Sequence, residues 1–178
     1  MTIIFNEHNA SVSKAVIMTN ALLTDEPFLD QIARHPSFDF SNATPQIVAE
    51  LIRLSTLEFH VELFYPNLLN RLTKYRKTLA YTDKRFPNTL FLNVRKLNRS
   101  SESIAATIVH ESIHALDTEA TEYSFGHGNN SSVGKQNSAP YWIGNLAYRI
   151  LLDDADAPLL VFDQPEEEED REGEIVIV

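Results

Sequence analysis

Thr107-Ile108-Val109-His110-Glu111-Ser112-Ile113-His114-Ala115-Leu116 is an apolar run broken by two histidines and one acid. Ile104, Ile108, Ile113 and Leu116 recur at roughly helical spacing. Ser100 and Ser101 offer a hydroxyl cap, and Glu102 an acid in the first turn, so the segment reads as a helix over 101–117. On a helix, side chains four residues apart lie one above the other. His110 and His114 therefore aim at one point, as two ligands of a zinc ion must. Glu111 lies beside that point without ligating, where it is placed to take a proton from a zinc-activated water. His-Glu-x-x-His arises by chance in a chain of this length about 1% of the time. The pattern is therefore worth treating as a site.

Working outward, Asn88-Thr89-Leu90-Phe91-Leu92-Asn93-Val94 reads as a buried strand feeding this helix. Asp83 to Asn88 reads as a turn before it, and Lys77 to Asp83 as another strand. Residues 67–76 are basic and read as a loop or short helix. Glu58 to Tyr65 alternates in the manner of a strand and is ended by Pro66. Upstream, Ser11–Leu23 and Pro27–Arg34 read as helices that bury Ala15, Val16, Met18, Ala21, Leu22, Phe28, Leu29 and Ile32. Thr44-Pro45 is a cap followed by proline at the first helical position. The helix it opens runs to about residue 55 and has Ile47, Val48, Leu51, Ile52 and Leu54 as its apolar face. Residues 2–5 make a short strand or ordered arm, and 140–152 a closing helix. The order predicts an α+β fold: a small mixed sheet packed on helices, with a C-terminal helix after a metal-binding loop.

Bulk composition narrows the chemistry. The chain has 178 residues, 43% of them apolar, enough for one domain with a proper core. It has no cysteine, so any zinc must be held by His, Asp or Glu, which suits a catalytic site better than a zinc finger. Of the net charge of −10, residues 163–174 carry −7, from eight acids and one arginine. The division expected is a domain over 1–162 and an acidic, disordered tail over 163–178. No basic stripe suggests nucleic acid, and no run suggests a membrane span. The first residues do not form a signal peptide, so the expected location is cytoplasmic, or outside by a signal-independent route.

A catalytic zinc needs a third protein ligand and an open position. Asp117, Glu119, Glu122, His127, Asp153 and Asp154 are the candidates. Asp117 shares the histidine stripe one turn further on, where a short carboxylate reaches poorly. It suits a supporting role, orienting His114 or capping the helix end. His127 is preferred because Gly126 and Gly128 flank it, which would let the backbone turn and present the imidazole.

With these residues in view, the chain resembles the metzincin clan of zinc peptidases, whose pattern is His-Glu-x-x-His-x-x-Gly-x-x-His. More narrowly it is similar to a bacterial group of metzincin-like proteins with a Gly-Phe-Gly-His segment, an Asn-rich loop and a Pro-Tyr segment before a last helix. Here those are Ser124-Phe125-Gly126-His127-Gly128-Asn129-Asn130 and Ser138-Ala139-Pro140-Tyr141-Trp142-Ile143-Gly144. The likeness covers roughly residues 78–150. Twelve residues separate His114 from His127, where the clan has five. As a flexible excursion the excess adds about 0.8 kcal/mol of closure entropy. As two helical turns it would carry His127 roughly 10 Å away. The clan's Met-turn is missing, the only methionines being Met1 and Met18. Tyr141 would stand in as the floor beneath the metal, or as a transition-state ligand.

The resemblance implies a zinc metallopeptidase that cleaves peptide or protein substrates, with His110, His114 and His127 on the metal and Glu111 as general base. An extended substrate would pair with an exposed sheet edge, 89–94 or 58–64. Two other readings share the motif: an amidase acting on a non-protein amide such as peptidoglycan, and a non-catalytic module with a vestigial site. His8, His35 and His60 stand in no motif.

Overall fold

The computed structural model describes residues 1–66, 79–83, 85–127 and 134–162. The expectations for 67–76, for the first residues of the strand from Lys77, for Gly128-Asn129-Asn130 and for the acidic tail lie outside these residues.

The chain opens with strand β1, Thr2–Phe5, followed by helices α1 (Ala10–Leu23), α2 (Glu26–Ala33) and α3 (Pro45–Leu54). Each helix starts where a short polar side chain accepts a backbone N–H that the first turn leaves unpaired. Asn9 accepts from Val12, Asp25 from Phe28 and Thr44 from Ile47. Two residues expected inside are outside: Ala21, and Leu54, which is 68% exposed. At about 100° per residue, Leu54 lies some 200° around α3 from fully buried Ile52. Val12, Thr19 and Leu23 complete the inner face of α1.

Strands β2 (Glu58–Phe64), β3 (Ala80–Asp83) and β4 (Phe86–Asn93) join β1 in a four-stranded sheet of order β1-β2-β4-β3. β1, β2 and β4 run parallel, and β3 is antiparallel to β4. The fold is α+β with a small mixed sheet, as the element pattern implied. The turn expected over 83–88 is shorter, because Asp83 already pairs with Phe86. The extra residues are taken up by a register shift between Thr82 and Asp83, with Asn88 in the left-handed region at φ 57°. Residues 58–64 and 89–94 are not edges, since β2 and β4 are the two central strands. The edges belong to β1 and β3.

After β4 a single 3-10 turn, Val94–Lys96, leads into α4, Ser101–Glu119, and the last helix α5 spans Ala139–Leu152. Ser100 caps α4 by accepting from the Ser103 N–H. α4 packs chiefly on α5 and α1, and from Ser103 to His110 every one of its residues is buried. No helix of the described residues is long and apolar enough to cross a membrane.

Candidate metal centre

Taken at about 100° per residue, Ser103, Thr107, His110 and His114 fall on one stripe of α4 roughly 60° wide. His110 is fully buried, and neither of its ring nitrogens has a hydrogen-bond partner. Burial first, then the neighbouring His114 and His127, hold its pKa well below the ordinary 6.5. The Pro140 carbonyl opposes them from beside the ring, without a hydrogen bond of normal geometry. His114 is pulled down to about 3, by burial, then His127, then the Lys135 charge. Both imidazoles are thus neutral at pH 7, the form a metal requires of them.

α4 stops at Glu119, two residues later than the sequence suggested, when the Ala120 N–H closes back on the Leu116 carbonyl. Beyond it the chain loops out and returns. Asn42 clasps Ser124 at two points: its side chain accepts the Ser124 N–H at 2.8 Å and its own N–H donates to the Ser124 carbonyl at 3.0 Å. Phe125 is fully buried and its N–H donates to Asp117 Oδ1 at 2.6 Å. The hydrogen bond seen at Asp117 therefore goes to the loop that delivers His127. Gly126 follows, with a backbone conformation open to any residue; only Gly134 among the described glycines has a positive φ. What Gly126 supplies is space. A Cβ there would sit 2.5 Å from Asp117 Oδ2 and 3.4 Å from His114 Nδ1. The glycine beside His127 thus serves close approach, not a sharp turn.

His127 then reaches the stripe. Its Nε2 lies 3.0 Å from His114 Nε2, one nitrogen carrying the proton and the other accepting it. One ligand atom from each of His110, His114 and His127 lies within 4.8 Å of the other two. The three histidines are close enough to bind a metal ion. Glu111, half-buried and one residue on from His110, is not a member of the group. Glu119 and Glu122 are exposed, and Asp153 and Asp154 close the far end of α5, where Asp153 is its left-handed cap.

The floor is aromatic. Tyr141, 2% exposed, meets His110 edge-on at 4.8 Å between centroids and lies 5.2 Å from His127. Phe162 stacks on His110 at 4.4 Å and 23°, and its own ring meets Tyr141 at 5.5 Å. It arrives on a strap, 157–162, that runs back along α5. Arg149 Nε donates to the Ala157 carbonyl, and Asn145 exchanges hydrogen bonds with Leu160. Gly144 lets the strap in, since a Cβ there would sit 2.9 Å from Phe162 Cζ and 3.1 Å from His110 Cβ. A glycine inside a predicted helix was the available cue to that approach.

Lys135, only 7% exposed, places Nζ 3.3 Å from His127 Nδ1, and its carbonyl receives both the N–H and the Oγ–H of Ser138 at the start of α5. A lone lysine in a polar loop gives no sequence signal for this. His35 also acquires a role in the same region, with Nε2 2.8 Å from Asn137 Oδ1 and its ring stacked on Phe38. A separate open cleft of about 450 Å³, bordered by Glu58, His60, Asn88 and Glu119, holds none of the three clustered histidines.

The donor set is three imidazole nitrogens, which a metal ion can take once the rings draw together. Bonds of about 2.05 Å put ligand nitrogens about 3.3 Å apart. The observed 3.0 Å between His114 and His127 is close to this, and the 4.8 Å limit exceeds it by at most about 1.5 Å. The orphaned nitrogens of His110 strengthen the fit, because a fully buried imidazole without partners carries an uncompensated desolvation cost that a metal bond would offset. No family model matches the chain, and no curated protein or solved structure matches it either.

Proposed function

We propose that this chain is a zinc-dependent hydrolase of peptide bonds, the activity that its metzincin-like motif suggests. The observation that carries the reading is His110: a fully buried imidazole with two unpartnered nitrogens, gathered with His114 and His127 and adjacent in sequence to Glu111. An all-nitrogen set of three leaves a fourth position for water or substrate, which favours zinc in a catalytic role. Bound there, zinc would act as a Lewis acid, lowering the pKa of water toward ~7 and polarising a carbonyl. The chain's own groups do the rest. Glu111 takes the proton from the attacking water and hands it to the leaving amine. Tyr141 and Phe162 fix the His110 ring and exclude water from behind it. An extended peptide would add to the outer edge of β3 or β1.

The test is a pair of measurements. Protein purified without added metal is expected to hold about one zinc per chain. Glu111→Gln is expected to keep that zinc and lose peptide cleavage by about 10²–10⁴-fold. Retained cleavage would eliminate Glu111 as the base. One observation favours a second reading, a binding module whose metal site is vestigial. Lys135 Nζ stands against His127 Nδ1, where a metal-bound imidazole ordinarily donates to an oxygen. Absence of tightly held metal would support that reading over the first.

A further inference from the structure

Two arginines in this molecule present the same fork differently. Arg53 directs Nε and Nη2 at the two carboxylate oxygens of Glu26, at 3.2 and 2.7 Å. These two donors point the same way and match a carboxylate in bidentate fashion. Arg99 uses only its other nitrogen: Nη1 donates to Thr107 Oγ1 at 2.8 Å, Ser103 Oγ at 3.3 Å and the Ser103 carbonyl at 3.4 Å. Its Nε and Nη2 are shielded from solvent and have no partner. Among the described residues no acid pairs with it. Burial pulls the guanidinium down to about 10, so its charge is held at a penalty. A cation here also sits by the N-terminus of α4, where the helix dipole favours an anion.

The fork lies along the stripe that carries the histidines, since Thr107 precedes His110 by three residues, about 4.5 Å of helix rise. Among the described residues the four buried side-chain atoms left without partners are the two ring nitrogens of His110 and this fork. Phe162, the last described residue, packs against Ala106 and His110 on the same stretch of α4. Directly after it the sequence reads Asp163-Gln164-Pro165-Glu166-Glu167-Glu168-Glu169. At up to about 3.5 Å per extended residue, any of these acids has the chain length to span one helical turn.

We propose that the Nε/Nη2 edge of Arg99 is a carboxylate-binding site about one helical turn from the histidine cluster. The carboxylate comes either from the chain's own acids at 163–169 or from the substrate. In the first case the acidic run is tied down beside the centre. In the second, the groups that shield the fork move aside and Arg99 selects substrates with a free carboxylate. The site requires no metal and no cleavage to be tested, so it stands or falls separately from the hydrolase reading.

The experiment follows the Arg99 Nε–H resonance in ¹⁵N-labelled full-length chain. It compares the natural sequence with a variant carrying Asp163→Asn and Glu→Gln at 166, 167, 168 and 169. Each is titrated with sodium acetate against sodium chloride. If the tail supplies the carboxylate, the natural chain shows a downfield, exchange-protected proton that acetate does not move. The variant loses that shift, and acetate restores it. If the substrate supplies it, both chains move alike on acetate and neither moves on chloride. A resonance that is unchanged across all four conditions overturns the site. Arg99→Lys, which keeps the charge and removes the fork, confirms the assignment by loss of the signal. The titration arms need no change at position 99, so they remain decisive if that variant does not fold.

Discussion

The first three helices and α4 obey the same rules at their ends and different rules in between. In the N-terminal helices, polar side chains are paired as they are buried. Asn20 holds both the N–H and the carbonyl of Ile3, and Thr19 donates to the Ala105 carbonyl. Along α4 the cap is equally well made, yet His110 and Arg99 at its flank keep four polar atoms shielded and unpartnered. Leaving such a group unpaired costs roughly 1–3 kcal/mol, more where charge is involved. Where one stripe of one helix concentrates that penalty while the neighbouring helices avoid it, ligands that offset it are the economical account. The N-terminal helices build the support, and the flank of α4 carries the buried polar atoms left unpartnered among the described residues.

Acid should separate the two regions most. The folded values of His110 and His114 lie below the ordinary 6.5. Between 6.5 and about 3 the unfolded chain therefore binds more protons, and stability rises with pH. Acidifying the metal-free protein from pH 7 is expected to lower its unfolding free energy, followed through the urea midpoint, by up to about 1.4 kcal/mol per pH unit for each histidine. The part of the loss above pH 5 falls where His110 and His114 take up protons on unfolding. Added zinc should steepen the dependence, because protons and metal compete for the same nitrogens. A midpoint that stays flat from pH 7 to pH 5 would mean the histidines are not held neutral by burial.

The same contrast explains what could be read from the chain alone. Helices announced by Thr44-Pro45 or by Ser100 with Glu102 were legible because caps are local chemistry. The start of β4 was not, because Phe86-Pro87-Asn88 resembles a turn until β3 pairs with it. His127 was legible as a ligand candidate from its neighbouring glycines, but the reason was different: Gly126 yields room for Asp117. Phe162, Lys135 and Arg99 were invisible. Each docks at or near the centre through a strap, a loop or a side chain laid along α4, and no periodicity in the sequence encodes that docking. The strap also accounts for Gly144, inside α5, which is the point where Phe162 enters.

A matched pair of glycines gives a smaller, sharper effect. Gly126→Ala places a methyl 2.5 Å from Asp117 Oδ2 and should cost about 1–3 kcal/mol through overpacking. Because the displaced groups carry His127, zinc affinity should fall with stability. Gly134→Ala meets nothing within 4 Å but imposes a side chain on a φ of +73°, a strain of about 1–2 kcal/mol. Its stability loss should be comparable and its zinc affinity nearly unchanged. Calorimetric zinc titration of both variants decides the matter. Equal loss of affinity would show that metal binding follows global stability and not the local approach of the loop.

The smallest effect tests the comparison at its root. Thr44 caps α3 and Ser100 caps α4, each with one hydroxyl accepting one N–H, at 3.4 and 3.1 Å. Replacing either with Ala should cost about 1 kcal/mol of stability. For Thr44→Ala the loss ends there, since α3 carries none of the clustered histidines. Ser100 is different in what its cap steadies: the N–H it accepts belongs to Ser103, whose hydroxyl and carbonyl both receive the Arg99 guanidinium. Ser100→Ala should therefore add a change in the Arg99 Nε–H signal that Thr44→Ala, at equal stability, does not produce. If the two variants are indistinguishable at Arg99, the guanidinium is held by Thr107 alone, and the first turn of α4 belongs with the support and not with the site.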